Sequence, residues 1–331
     1  MTRVGPHVGC AIGCAALAGC TSFADPDIVV DLRVLAMTAS LPEQIIDIDV
    51  DNPPEQPTEL LQQLMPSEVC ALVADPADQR RLRYSLTLCP FGEDNRCDPV
   101  IEVPIGSGVV EDPETSASSM CGTVNPTIDL LTVVMHALEN DELSGLGGID
   151  YLVSFRVGGE LDDPSNDQFA AKTLRVAPRI PAERLANNNP TLDRIDVVFD
   201  GSGDDTALPL TLGRCQDQTA PLQVAPRQRL KLIPIEPSDA REPYVVPTLD
   251  GSSRMFTESL TYQWRAGRGS FSSGSTGGPR DISGNPAPLF TEWTAPRAQD
   301  LEGITDVPLW IVQRDERLGA RWYESCIRVA P

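Results

Sequence analysis

The 331 residues are enough for two domains at about 150 residues each, and enough to bury a core without external staples. The 41% hydrophobic and 22% charged residues are those of a globular protein, and a mean hydropathy of −0.16 excludes a polytopic membrane protein. Acidic residues outnumber basic ones 48 to 26, a net charge of −22 that argues against nucleic acid as a partner.

Residues 1–19 have the pattern of a secretory signal: one positive charge at Arg3, small and apolar residues, then a break. The stretch is too short to span a bilayer, which takes about 20 apolar residues. Leu17-Ala18-Gly19-Cys20 resembles the lipobox of bacterial lipoproteins, in which cleavage precedes the cysteine and the cysteine carries the lipid. The resemblance makes Cys20 the lipidated first residue of the mature chain, held on a membrane by its acyl chains. With Thr21 rather than Asp after it, the sorting rule it resembles favours the outer membrane. Residues 20–27 read as a short polar tether that keeps the body close to the bilayer.

An apolar strand opens the body at Ile28 to Ala36. Asp47 to Asn52 then alternates acid with apolar residues, a strand face carrying three carboxylates or a candidate calcium site. Leu82 to Leu88 alternates with period two. Ile128 to Glu139 is the one helical candidate, with apolar positions at Leu130, Leu131, Val134, Met135 and Leu138. A strand follows at Ile149 to Val157, and the first half closes on Leu174-Arg175-Val176-Ala177-Pro178. Residues 181–190, rich in Pro and Asn, form a short, semi-stiff connector.

The second half opens on Leu192 to Phe199 and continues through the acidic loop Asp200 to Asp205. Leu230 to Ile235 alternates as far as Pro234, which marks an edge there. Leu260 to Trp264 is a strand, and the Gly/Ser-rich Gly274 to Gly278 reads as a flexible loop tip. Val307 to Val312 has the unbroken apolar run of a buried strand, and a turn at Asp315 to Gly319 joins it to Arg321 to Val329 in a hairpin. The half closes on Ile327-Arg328-Val329-Ala330-Pro331, nearly the phrase that closed the first. Short strands, 30 prolines, 25 glycines and this shared ending predict a mainly β protein. The expected architecture is two immunoglobulin-like β-sandwich domains in tandem, residues 28–180 and 191–331, with at most one short helix, in the first.

Beyond Cys10, Cys14 and Cys20 six cysteines remain, an even number that reads as a disulfide framework in an exported chain. Cys215 and Cys326 are the natural pair of the second half. In the first, Cys89 and Cys97 flank a turn-rich loop that a bridge would close, leaving Cys70 for Cys121; the connectivity of these four stays open. Zinc is disfavoured, since there is no Cys-x-x-Cys and His136 is the one histidine after the signal. No phosphate-binding loop or nucleophile elbow occurs, so neither a cofactor nor catalysis is expected. All basic residues but Lys172 and Lys231 are arginine, which reads as codon usage rather than ligand choice. Trp264 and Trp310 lie in apolar strands and read as core, while Trp293 and Trp322 are candidates for an exposed stacking platform.

Asp31 to Ala36 after the lipobox, Ala71 to Pro76, Asn187-Asn188-Asn189-Pro190, Tyr262-Gln263-Trp264 with Gly269-Ser270-Phe271, and Trp310 to Asp315 together resemble a family of uncharacterised myxobacterial lipoproteins. Their layout also resembles polycystic-kidney-disease-type sandwiches. The resemblance implies no activity. The function expected is a non-catalytic, membrane-anchored envelope or surface lipoprotein acting through protein contacts. The alternatives are a carbohydrate- or calcium-dependent binding module, resting on the aromatics and the acidic runs 47–52 and 200–205, and a hydrolase resting on unassigned carboxylates.

Overall fold

The computed structural model describes residues 25–48, 56–76, 80–92, 96–110, 118–200, 207–248, 251–301 and 303–330. The first half forms β1 (Arg33–Ala39), β2 (Glu43–Ile46), β3 (Ser67–Ala74), β4 (Leu82–Cys89), β5 (Val103–Val110), β6 (Ser118–Val124), helix α1 (Ile128–Glu139), β7 (Ile149–Gly159) and β8 (Gln168–Pro178). The second forms β9 (Arg194–Phe199), β10 (Leu208–Pro209), β11 (Leu222–Val224), β12 (Arg229–Ile235), β13 (Pro243–Pro247), β14 (Ser253–Thr257) and β15 (Thr261–Ala266). It continues with β16 (Ser270–Phe271), β17 (Ser275–Gly277), β18 (Thr291–Thr294), β19 (Thr305–Arg314) and β20 (Ala320–Val329). The protein is mainly β, and α1 has the bounds its apolar period gives. A seven-residue 3-10 turn at Pro57–Gln63 was not expected.

Each half folds as two sheets over one core. In the first, the sheet β1-β3-β6 faces β2-β8-β7-β4-β5, and Val69, Ala71 and Met120 from one meet Leu86, Phe155 and Leu174 from the other. In the second, β10-β9-β12-β18-β16 faces β11-β20-β19-β15-β17, and Val197, Leu232 and Trp293 meet Trp264, Ile311 and Ile327. Strand prolines fall where a neighbour is missing: Pro234 lies beyond the stretch of β12 that β18 pairs, and Pro308 beyond the stretch of β19 that β15 pairs.

The shared closing phrase has one structural meaning in both halves. A short strand joins it in parallel: β2 runs along Arg175–Pro178, and β11 along Ile327–Val329. Leu174 and Val176 in the first phrase, and Ile327 and Val329 in the second, point into their cores. The arginine between them faces an aspartate directly across the ladder, Arg175 opposite Asp150 and Arg328 opposite Asp306. Both pairs are forks, at 2.6 and 2.9 Å in the first half and 2.7 and 2.8 Å in the second. Arg194–Asp196 and Arg241–Glu236 repeat the geometry, so whatever set the arginine excess, the fold uses it for planar carboxylate contacts.

Three disulfides are present. Cys70–Cys121 joins directly opposed residues of β3 and β6, Cys89–Cys97 closes the loop after β4, and Cys215–Cys326 ties the turn before β11 to β20. Two segments read from the sequence take another form in the fold. The opening strand begins at Arg33 rather than Ile28, because the preceding residues lie on the second half: Val29 N donates to Ala266 O at 2.9 Å, and Arg265 Nη1 to Asp27 Oδ1 at 2.7 Å. Ser275–Gly277, expected as a loop tip, is β17, paired with β15, and its buried Thr276 accepts from Trp264 Nε1 at 2.9 Å.

Candidate functional site

The two halves meet along an apolar seam. β3 sends Val69, Ala71 and Val73 into its own core and Leu72 and Ala74 outward; β19 sends Leu309 and Ile311 inward and Trp310 and Val312 outward. The outward sets pack together with Val29, Leu35 and Ala36, and Trp322 covers their margin. The connector works as a strut across this seam. Asn187 Nδ2 donates to Asp315 Oδ2 at 3.2 Å, Asn188 Nδ2 to Glu242 Oε1 at 2.8 Å, and Asn189 Nδ2 to Ala39 O at 2.7 Å. Ala320 N donates back to Asn189 Oδ1 at 3.0 Å.

A buried charge network lies at the end of the seam. Glu43, the first residue of β2 and only 2% exposed, accepts from Arg184 Nη2 at 2.9 Å, from Asn187 N at 2.9 Å and from Arg317 Nη2 at 2.8 Å. Arg317 comes from the β19–β20 turn, where Asp315 Oδ1 accepts three successive backbone N–H groups, from Arg317, Leu318 and Gly319. Its other nitrogen reaches Glu258 at 3.4 Å, and its guanidinium lies over the Tyr244 ring, 4.9 Å from the centroid. Two arginines thus meet two glutamates, which is what makes burying them tolerable. Burial, reinforced by the nearby Asp315, pushes the Glu258 carboxyl up to about 7. Lys172, buried beside the same turn and bonded to Leu318 O, is pushed down to about 8 by burial.

Two recesses adjoin this network. A groove of about 710 Å³ runs between the first half and the β13–β14 hairpin, lined by Arg175, Arg184 and Arg317 beneath and by Tyr244, Val246 and Arg254 of the hairpin. A cleft of about 520 Å³ opens between α1, the Pro57–Gln63 turn and the ends of β2 and β8, its walls almost wholly apolar. Leu143 and Leu146, in the loop after α1, line both. The hairpin belongs to neither sandwich: β13 pairs with β14 alone, Tyr244 stacks on Phe256 at 5.5 Å, and Met255 is 75% exposed.

The residues singled out in the sequence are dispersed rather than gathered. Cys20 and the signal lie outside the described residues. Of the acidic runs, residues 49–52 and 201–205 also lie outside them. Asp47 is engaged by Arg179 at 2.5 Å and Asp200 by Arg229 at 3.6 Å. Among the described residues the one cluster with metal-ligand geometry is Glu68 with Cys70 and Cys121, whose sulfurs are spent in a disulfide. His136, near the end of α1, faces Asp98 at 3.2 Å. As platform candidates the tryptophans are corrected: Trp293 is fully buried and donates to Arg268 O, and Trp322 is half-buried at the seam. Glu43, Arg184, Glu258 and Arg317 gave no sequence signal, because each is an ordinary charge until tertiary packing buries it. No family model and no curated protein matches this chain.

Proposed function

We propose that the protein is an exported lipoprotein, anchored at Cys20 to the outer membrane, that acts by binding another envelope or surface protein rather than by catalysis. The repeated strand order, with a first strand on one sheet and a short parallel strand beside the last strand of the other, supports two immunoglobulin-like sandwiches in tandem. Three disulfides fit an oxidising compartment. The observation that carries the binding reading is the β13–β14 hairpin, which stands off both sandwiches and leaves apolar side chains exposed on both faces of a two-stranded sheet, Val246 and Phe256 on one and Met255 on the other. Exposed apolar groups gathered on one element mark a contact surface, and scattered ones do not.

The test is site-specific photo-crosslinking in intact cells, with the photoreactive residue at Met255 and, as a control, at Leu161, which is 96% exposed. A discrete protein adduct at 255 and none at 161 is expected, lost when Cys20→Ala removes the anchor and with it labelling by a fatty-acid precursor. Equal adducts at both positions, or none at either, would overturn the contact reading. Undiminished lipid labelling in the Cys20→Ala chain would overturn the anchor.

A further inference from the structure

We infer that the groove beneath the β13–β14 hairpin and the apolar cleft beneath α1 together form a binding site for a single-chain anionic amphiphile, its acidic head in the groove and its hydrocarbon chain in the cleft. The starting point is Arg184. Its side chain is 8% exposed and lines the groove; Nη2 is satisfied by Glu43 and by Gly147 O, but Nη1 is buried with no partner. A buried donor left unmade costs about 1–3 kcal/mol, and such groups in folded proteins are rare enough to need an explanation. Turned toward the groove that the residue lines, this donor would find the partner it lacks in an acidic oxygen supplied by a ligand.

The charges around it select the sign of the head group. Arg175, Arg184, Arg254 and Arg317 line the groove against one lining carboxylate, Glu43, in a chain whose net charge is −22. Arg175 is held by Asp150, and Arg317 by Glu43 and Glu258, whereas Arg254 on exposed β14 makes no ion pair among the described residues. Arg254 at the rim, without an ion pair among the described residues, and the unpartnered donor of Arg184 are the two contacts an acidic head can gain, and a guanidinium fork suits a carboxylate or a phosphate equally.

The shape selects the rest of the ligand. The cleft is lined by Leu60, Leu64, Leu131, Val134, Met135 and Leu138, among others, several of them half-exposed, so its walls are apolar surface left in contact with water. Its volume lies in the range of about 300–1,000 Å³ typical of small-molecule sites. Leu143 and Leu146 border both recesses, so a molecule with its head at Arg184 meets apolar wall as soon as it leaves the groove. Arg184 also bonds the carbonyl of Gly147 in that same loop, tying the donor to the partition between the two recesses.

The test is displacement of a fluorescent fatty acid from the full-length protein, with palmitate, hexadecyl phosphate, hexadecanol and inorganic phosphate as competitors. Palmitate and hexadecyl phosphate are expected to compete at micromolar concentration and to raise Tm by several degrees at saturation. Hexadecanol should be at least tenfold weaker, and inorganic phosphate should not compete. Arg254→Gln, at an exposed position, should weaken both acids about tenfold and leave hexadecanol unchanged. Leu131→Trp, which fills the half-exposed cleft, should abolish binding with the circular dichroism spectrum unchanged. Equal affinity for acid and alcohol, or unaltered binding in the Leu131→Trp chain, overturns the site. Displacement by an apolar peptide but by neither acid overturns it in favour of a polypeptide ligand. None of these readouts depends on the anchor at Cys20 or on the partner at Met255.

Discussion

Glu258 and Lys172 are both buried within reach of Asp315 and shift in opposite directions from their ordinary values of 4.5 and 10.5. The folded chain keeps the Glu258 proton up to about pH 7, whereas the unfolded chain releases it near 4.5. Its contribution to stability is therefore full below 4.5 and is lost as the pH rises through about 7. Lys172 gives up its proton near pH 8 in the folded chain and near 10.5 in the unfolded one, so its burial penalty is relieved across that interval. Stability should fall from pH 5 to 7 and recover above 8. Urea unfolding at each pH checks this: Glu258→Gln should flatten the first limb and Lys172→Met the second. Unchanged slopes in either variant would remove that residue from the account. The sequence could not have picked out these two. Lys172 sits in an alternating strand and meets the β19–β20 turn of the other half, while Glu258 sits in a short connection and meets that turn and Glu242 within its own half, contacts that only the tertiary fold makes. The forks Asp150–Arg175 and Asp306–Arg328 were half legible: the repeated phrase displays the arginines, but the aspartates opposite them depend on strand register.

Among elements, β19 was the most readable and the most incompletely read. Its unbroken run Val307-Pro308-Leu309-Trp310-Ile311-Val312 signals a strand covered on both faces, and the fold covers one with its own core and the other with β1 and β3. Nothing in the run says what lies on the second face, because alternation encodes that a face is buried and not by which partner. Trp310→Ala should cost about 3–5 kcal/mol in denaturant unfolding, and Trp322→Ala, half-buried at the same seam, clearly less. Equal losses would mean that the outer face of β19 is not the load-carrying part of the seam. Helix α1 was legible because its five apolar positions keep helical spacing. The 3-10 turn was not, since Leu60, Leu61 and Leu64 make sense only under α1. The β13–β14 hairpin was missed for a related reason: with Pro243 and Pro247 at its ends and apolar side chains facing water, β13 lacks the alternation of a half-buried strand.

For the whole molecule, the shared closing phrase made two similar halves legible, but it pointed to a connector between them and not to a strut. Asn187, Asn188 and Asn189 each spend a side chain across the seam, a role their turn-forming composition concealed. The halves should consequently unfold together. Calorimetry of the protein should give one transition, and Asn187→Ala with Asn189→Ala should split or broaden it while each half keeps its disulfides. A single sharp transition in the double variant would show that the apolar seam alone couples the halves. The entry of the chain has a mechanical consequence. Asp27 and Val29 are fastened to Arg265 and Ala266 of the second half, and from Arg33 onward the same strand builds the first. A lipid at Cys20 would be seven residues from Asp27, a leash of about 25 Å at full extension. Any pull from the membrane would then arrive at the seam itself, where it is divided between both sandwiches instead of peeling one strand from the end of one sheet.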